Sequence, residues 1–427
     1  MSSNSAEPKR AALAHRDFAF LWSGQTISNI GNQMVPVALA LVVLDRGHRV
    51  QDLGLVLAAL TFALGLGAIV ATAIGDRWRR TRMMVFADVI RAVAVAGVAA
   101  APSGTPLGVV VLLVVVLGVG EGLFQPAYQA VVPKLVSGTA LQSANALTSF
   151  SVHAAVVAGP ALAGVCSALW GPRTTLWINA ATFVVSLGTL VFIREAPPSW
   201  AADETGRGAV RRMASDIWQG VRAVLDRRWL GVTIGSVTLV TMIAAAPTMV
   251  LLPVIARERL GGDGAYGAVL TAAGVGALAG AAIASRIRAR RVGSVAIGLA
   301  TLNAVSMAGL ALLPLPGVLV TWAIASVGVT AFNVLWITAL QRDVPEHLLG
   351  RVMALDWLGS TCFMPLGYLL AGPIVERTST TAVLLTAAVC TVVLTPLPLL
   401  VRGGSTFSSS EPPAHQESPE VGAEPSR

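Results

Sequence analysis

Charged residues are scarce in this sequence of 427 residues: 12% are charged, whereas 55% are hydrophobic. Soluble globular domains carry roughly twice that charged fraction. The mean hydropathy of +0.72 points the same way. The composition therefore excludes an ordinary soluble protein and indicates a chain that lies largely within a lipid bilayer.

Cysteine and lysine are rarer still. The three cysteines, Cys166, Cys362 and Cys390, all fall inside apolar runs and offer neither a disulfide framework nor metal-ligand spacing. Neither Lys9 nor Lys134 follows a phosphate-binding glycine loop. The sequence also has no nucleophile–base pattern. We therefore expect no ATP-driven pumping by this chain, no enzyme activity, and no metal or other cofactor.

Long apolar runs are abundant. Each of twelve runs is long enough to cross about 30 Å of hydrocarbon as a helix. We predict an all-α integral membrane protein with transmembrane helices at residues 18–44, 52–75, 83–101, 106–132, 142–169, 172–193, 229–256, 264–285, 293–313, 317–340, 352–376 and 381–401. The N-terminus lacks the pattern of a signal peptide, so the first span is expected to be retained.

Basic residues follow the alternation of these spans. With both termini on one side, most of the 30 lysine and arginine residues fall on that side. The positive-inside rule then predicts that both termini are cytoplasmic. Topology also explains the net charge of +8, which in a soluble protein would suggest nucleic acid. We expect no nucleic-acid partner.

Polar stretches divide the chain into a cytoplasmic N-terminus (1–17), a six-helix bundle (18–193), a cytoplasmic linker (194–228), a second six-helix bundle (229–401) and a disordered tail (402–427). The two bundles have matching sequence features, since Phe124-Gln125 and Pro133 in the first correspond to Phe332-Asn333 and Pro345 in the second. Two matched repeats of this kind are typical of transporters, with the site between the halves near mid-membrane. We expect the chain to act as a monomer.

The basic turn after the second span resembles the loop pattern Gly-x-x-x-Asp-Arg-x-Gly-Arg-Arg of the major facilitator superfamily. Asp76, Arg77 and Arg80 match it, while Thr72, Arg79 and Thr81 depart from it. The resemblance, which covers about residues 15–402, implies the superfamily's two-bundle fold. It also implies that this loop latches the cytoplasmic side, with its acid facing the N-terminus of the eleventh span near Gly350–Met353.

Two longer segments are similar to the branch of bacterial enterobactin and macrolide exporters: Phe124–Phe150 in the first half and Val344–Ser360 in the second. This resemblance implies that the protein lies in the inner membrane of a bacterial cell. In the fifth span Gly159, Pro160 and Gly164 resemble the Gly-Pro-x-x-Gly-Gly motif that is associated with antiporters. Proline removes a backbone hydrogen bond and small residues allow close helix contact, so this segment predicts a bend that seals one side.

Four ionisable residues inside spans are functional candidates, because charge in hydrocarbon is costly. Glu121, near mid-membrane, is the main candidate for proton coupling; the alternative is a fixed partner for some polar group. Asp88 and Arg91 lie three apart, so they share a helix face and can pair. With Asp356 they are predicted to form a network with the basic loop that governs the inner gate, or else a static pair that orients helices.

Polar residues without charge mark the predicted substrate cavity. Gln25, Asn29 and Gln33 form a stripe on the first span, which should face a wet cavity or another helix rather than lipid. We assign the stripe to the cavity together with three further residues, Gln125, His153 and Asn333. This first span offers amides and no acid, which favours a neutral or weakly charged substrate.

The sequence therefore predicts a secondary efflux transporter: a proton antiporter of an apolar or amphipathic small molecule, such as an antibiotic, a secondary metabolite or a siderophore, with alternating access. Its partners would be that molecule, protons and the bilayer. A proton-coupled uptake symporter on the same fold is the first alternative. A non-transporting membrane scaffold or sensor is the second, although the chain carries no large soluble domain.

The predicted orientation can be measured with topology reporters fused after Gly208 in the linker and after Gly104 between the third and fourth spans. A cytoplasmic reporter should be active only at Gly208, and an external reporter only at Gly104, because an odd number of helices separates these positions. Activity of the external reporter at Gly208 would contradict the topology.

Overall fold

The computed structural model describes residues 12–47, 49–74, 78–193 and 218–408, and these residues form helices without any strand. Within these ranges, twelve long helices follow one another. They are α1 Arg16–Asp45, α2 Val50–Ile74, α3 Arg80–Ala100, α4 Leu107–Leu135, α5 Thr139–Trp170, α6 Pro172–Leu190, α7 Arg228–Glu258, α8 Asp263–Ala284, α9 Val292–Leu312, α10 Leu315–Asp343, α11 Leu348–Arg377 and α12 Thr380–Leu400.

The predicted all-helical membrane architecture is confirmed. Eleven of these helices in the described residues are long and apolar enough to cross a membrane. The remaining one, α6, has 19 residues, and its first two turns carry Arg173, Thr174, Thr175 and Asn179. These polar residues lower its hydropathy, although α6 packs beside α1 and α3 as a full member of the first bundle.

Several helices in the second bundle are interrupted, and proline explains two of the interruptions. A π-helical turn at Thr241–Ala245 precedes Pro247 in α7, and the helix of α11 restarts at Met364, just before Pro365. Proline has no backbone N–H to donate to the preceding turn, so the local hydrogen-bond pattern shifts there. In α12 the regular helix ends at Leu394, and a 3-10 turn follows.

The bundles α1–α6 and α7–α12 meet mainly near one end of the molecule. There α2 contacts α11 where Gly54 faces the backbone of Tyr368 and Gly372 faces Gln51. On the other side α5 contacts α8, where Gly164 lies against Gly267. Because glycine has no side chain, these backbones can approach each other closely. We call this end, which carries Arg257, the Arg257 end, and the opposite end the Arg80 end.

The chain after α12 corrects the predicted domain boundaries. Residues 402–408 form turns packed against the second bundle at the Arg80 end, where Phe407 is fully buried, so the prediction of disorder from residue 402 is wrong for this segment. Residues 409–427 lie outside the described part, as do 194–217 of the predicted linker. The last part of that linker, residues 218–226, is helical.

The close contact of α5 with α8 can be tested with Gly267→Leu. A side chain there would collide with the backbone of α5, and overpacking of this kind costs about 1–3 kcal/mol. The purified variant should therefore unfold at a lower temperature than the native chain. Gly235→Leu is the matched control, because a Cβ at Gly235 meets nothing within 4 Å. Equal melting temperatures of the two variants would contradict the proposed packing role.

Candidate functional site

An ion triad lies inside the first bundle. The Arg91 guanidinium donates through Nη2 to Oδ1 of Asp88, one turn away on α3, and through Nη1 to Oε2 of Glu121 on α4 at 2.5 Å. The side chains of Asp88 and Arg91 are fully buried, whereas that of Glu121 is 22% exposed. The predicted pairing of Asp88 with Arg91 is confirmed. The structure adds Glu121 to the same pair.

Two aromatic rings enclose the Arg91 guanidinium. Its central carbon lies 4.2 Å from the ring centre of Phe124 and 4.6 Å from that of Phe183. Ring faces attract a cation, and more strongly where water is excluded, so these contacts favour the charged guanidinium. Gly120 provides the space, since a Cβ there would lie 2.6 Å from Cγ of Arg91.

A chain of hydrogen bonds leaves the triad on its buried side. Ser186 of α6 donates to Oδ2 of Asp88 at 2.6 Å, and Gln25 of α1 donates to Ser186 at 2.8 Å. Gln25 is 3% exposed. This corrects the prediction that Gln25 lines the substrate cavity: in this conformation its amide lies between α1 and α6, where it satisfies a buried hydroxyl.

The other side of the triad borders on the space between the bundles. Asn32 donates to Glu121 at 3.3 and 3.4 Å, and Gln125, an exposed residue one turn along α4, donates to it at 3.3 Å. Sequence reasoning missed Asn32 and Ser186 as members of the site. Asn32 stands beside the polar stripe of α1, but no sequence signal distinguishes Ser186 from other hydroxyls in apolar runs.

The remaining predicted cavity residues are not bonded to the triad. Asn29 and Gln33 are partly buried on α1, and Asn333 is exposed on α10. His153 is exposed on α5, where its Nδ1 lies 2.7 Å from the carbonyl oxygen of Ser149. Exposed polar groups well inside spans favour a wet space rather than lipid at these positions.

The structure describes the glycine–proline motif of α5 completely and the basic loop before α3 only in part. Gly159 lies against Gln33 of α1, while the backbone oxygen of Pro160 and Gly164 both lie against Gly267 of α8. This segment of α5 therefore joins its own bundle to the other one. In the basic loop, Asp76 and Arg77 lie outside the described residues, and Arg80 is the first residue of α3.

Asp356 does not join the other three ionisable candidates. It lies in the second bundle, partly buried, and accepts a hydrogen bond from the indole Nε1 of Trp336 on α10 at 3.2 Å. Across the described part of the chain it forms no ion pair. The predicted single network of Asp356 with Asp88, Arg91 and the basic loop is therefore not found among these residues, because Arg91 turns toward Glu121 instead.

Ion pairs join the two bundles at the Arg257 end. Arg257 of α7 donates to Asp45 of α1 at 2.6 Å, and it also binds Asp263 of its own bundle through two hydrogen bonds. Glu376 of α11 accepts from Gln51 of α2 and lies 3.8 Å from Arg49. We call the contacts of Arg257 with Asp45 and of Glu376 with Gln51 and Arg49 the clasp.

Two helical bundles that touch mainly at one end, with a buried ion triad beside the space between them, form the architecture of a membrane transporter. A family model described as transmembrane secretion effector matches residues 8–424. The chain belongs to this family of major facilitator superfamily transporters.

Relatives and structural neighbours are transporters as well, not enzymes. The multidrug efflux pump Tap of Mycolicibacterium fortuitum is 28% identical over 415 residues, which cover 92% of this chain and 95% of that protein. The enterobactin exporter EntS of Citrobacter koseri is 26% identical over 361 residues, 80% of this chain and 81% of that protein. A crystal structure of a mutant of the peptide transporter POT shares the fold, with a TM-score of 0.71 at 11% identity, covering 95% of this chain and 100% of that chain.

The clasp can be tested by comparing Asp45→Ala with Asp263→Ala. Both variants remove one acid from Arg257, but only Asp45 belongs to the other bundle. Spin labels at Gly104 and Thr378, one on each bundle at the Arg257 end, should therefore show a larger population of long distances in Asp45→Ala and an unchanged distance distribution in Asp263→Ala. Double electron–electron resonance measures the distance. A shift of equal size in both variants would exclude a specific role for the contact between bundles.

Proposed function

We propose that this chain exports an amphipathic small molecule in exchange for protons by alternating access. The observation that carries the proposal is the composition of the ion triad: two carboxylates, Asp88 and Glu121, share one guanidinium, that of Arg91. No other basic side chain forms an ion pair with either acid within the described residues. The triad therefore has one acid more than Arg91 can neutralise.

One bound proton balances this excess. With both acids ionised the triad carries a net charge of −1, which a low-dielectric interior disfavours. Two acids coupled through one cation bind and release that proton as a unit. The triad thus has two states, neutral and singly negative, and the difference in charge can bias which end of the transporter opens.

Glu121 is the acid suited to exchange the proton with solvent. Its side chain is partly exposed, and Asn32 and Gln125 can donate to it when it is ionised. Asp88 is sealed and already bound by Ser186 and Arg91. We assign Glu121 to proton coupling and Asp88 and Arg91 to positioning. A static role for the Asp88–Arg91 pair in orienting helices is the alternative.

The direction of transport and the kind of substrate rest on the relatives. Those reported above are named as a multidrug efflux pump and an enterobactin exporter. In the described residues, polar groups exposed inside spans, such as those of Gln125, His153 and Asn333, are outnumbered by exposed apolar side chains, which favours a substrate with a mostly apolar surface. The bundles meet mainly at the Arg257 end, so the space between them would load from the Arg80 end, which we predict to be cytoplasmic.

The energy of one proton is sufficient for such export. A charge that moves across about 100 mV yields roughly 2.3 kcal/mol, and one pH unit adds about 1.4 kcal/mol. Together these supply about 3.7 kcal/mol per proton. Since about 1.4 kcal/mol corresponds to a factor of ten, one proton per molecule supports a gradient of a few hundredfold.

Glu121→Gln tests the proposed coupling. The amide keeps hydrogen-bonding capacity toward Asn32 but cannot bind and release a proton, so pH-driven efflux from proteoliposomes should fall at least tenfold while substrate exchange without a pH gradient persists. Glu258→Gln is the matched control, because it makes the same change at an exposed position at the end of α7.

Three outcomes would contradict the proposal. Undiminished pH-driven efflux by Glu121→Gln would remove Glu121 from proton coupling. Accumulation of the substrate with the proton gradient, rather than its extrusion, would indicate an uptake symporter. A reconstituted native chain that moves no solute under any gradient would favour a scaffold or sensor.

A further inference from the structure

We propose that Asp356 binds the positively charged group of the transported molecule, so that the substrates include amphipathic organic cations. This inference rests on the proposed transport function and specifies its substrate class. The polar stripe of α1 holds amides and no acid that could bind such a cation. Asp356, in the opposite bundle, supplies this acid.

The two bundles differ in how the acids inside their spans are neutralised. In the described residues, three acids lie well inside spans, and two of them, Asp88 and Glu121, share Arg91. Asp356 has an indole N–H as its described hydrogen-bond donor and no arginine, lysine or histidine in ion-pair contact. An ionised acid inside a span is costly, because hydrocarbon does not solvate its charge. Asp356 therefore requires a positive charge or a proton from outside these residues.

The aromatic surroundings hold the carboxylate in place. The indole of Trp336, which donates to Asp356, stacks on Phe332 at 6.1 Å between ring centres and meets Trp229 edge-on at 5.8 Å. Phe407 closes this cluster, with its ring centre 5.4 Å from that of Trp336. A donor fixed by packing on several sides fixes the acceptor as well, and a preorganised carboxylate binds a cation without an ordering cost.

Phe407 gives independent support for a cluster that is held firmly. Its φ of 51° lies in the left-handed region, which costs free energy for a bulky residue, yet its side chain is fully buried. Backbone strain of this kind persists only where the surrounding structure over-determines it. Residues 402–408 are therefore held firmly in place. They fix the position of the Trp336 indole, which donates to Asp356.

Access to Asp356 is possible from the Arg80 end. It lies about two helical turns beyond Leu348, or about 12 Å along α11, and it is only partly buried. Asn333, one turn from Trp336 on α10, is exposed, which favours a wet space at this depth. A cation arriving through the Arg80 end would thus meet Asp356 before it reaches the level of Glu121.

Glu121 is poorly suited to the same task. Its carboxylate already receives a hydrogen bond from the Arg91 guanidinium at 2.5 Å, and that cation would repel a second one. The two bundles therefore differ in how charge is balanced. Arg91 in the first bundle is neutralised by acids of that bundle, whereas Asp356 in the second is neutralised by the transported cation. Proton exchange at Glu121 and cation binding at Asp356 are separate events in this arrangement.

Binding of tetraphenylphosphonium, a permanent organic cation, to the full chain in nanodiscs tests the inference. Asp356→Asn should weaken binding at least tenfold, because the amide keeps the contact with Trp336 and loses only the charge. Asp226→Asn, the same change at an exposed position, should bind like the native chain. Triphenylphosphine oxide, a neutral probe with similar rings, should bind all three chains equally. Trp336→Phe should reduce binding of the cation by a smaller factor.

Two results with the cation alone would overturn the inference: native affinity of Asp356→Asn for the cation, or no binding of the cation by the native chain. A loss of affinity for the neutral probe that equals the loss for the cation would also overturn it, since only a general change in the cavity could cause it. The outcome for Glu121→Gln separates this inference from the proposed function. That variant should lose pH-driven transport whether or not Asp356 binds the cation.

Discussion

One guanidinium held between two carboxylates and two phenyl rings is the interaction on which the first bundle depends. Arg91 can lie at the centre of the bundle because Asp88 and Glu121 neutralise it, Phe124 and Phe183 cover its faces, and Gly120 leaves room for its stem. Three helices, α3, α4 and α6, thus supply the contacts of a single cation. Burial of that charge is tolerable only while all of these helices remain together, so the triad holds them as one body.

The proposed alternating access requires two such bodies whose contacts with each other can be broken and formed again. At the Arg257 end the bundles meet through close backbone approaches at Gly54, Gly164 and Gly372, and through a buried apolar cluster to which both bundles contribute. The clasp adds ion pairs that are partly exposed, and exposed pairs contribute little stability and are screened by salt. Together these contacts keep the Arg257 end closed in this conformation.

Sequence reasoning succeeded where a regular helix fixes the geometry and failed where tertiary packing decides. The pairing of Asp88 with Arg91 follows from their spacing on one helix turn. The link from Arg91 to Glu121 joins two helices whose rotation no periodicity reveals. Likewise the stripe on α1 indicated a polar face, but it could not distinguish Gln25, which points into the bundle, from Asn32, which reaches Glu121. The composition of the tail predicted disorder from residue 402, but residues 402–408 are packed, because the ring of Phe407 is buried among aromatic side chains of the second bundle.

The burial of Phe407 has a consequence for the order in which the protein is completed. A chain is synthesised from its N-terminus, and its domains generally fold as units in that order. The first bundle and its triad are therefore complete once residue 193 has been made. The aromatic cluster of Trp229, Phe332 and Trp336 instead has an unfilled side until residue 407 emerges, after the last helix. The second bundle consequently reaches its final rigidity only as biosynthesis ends.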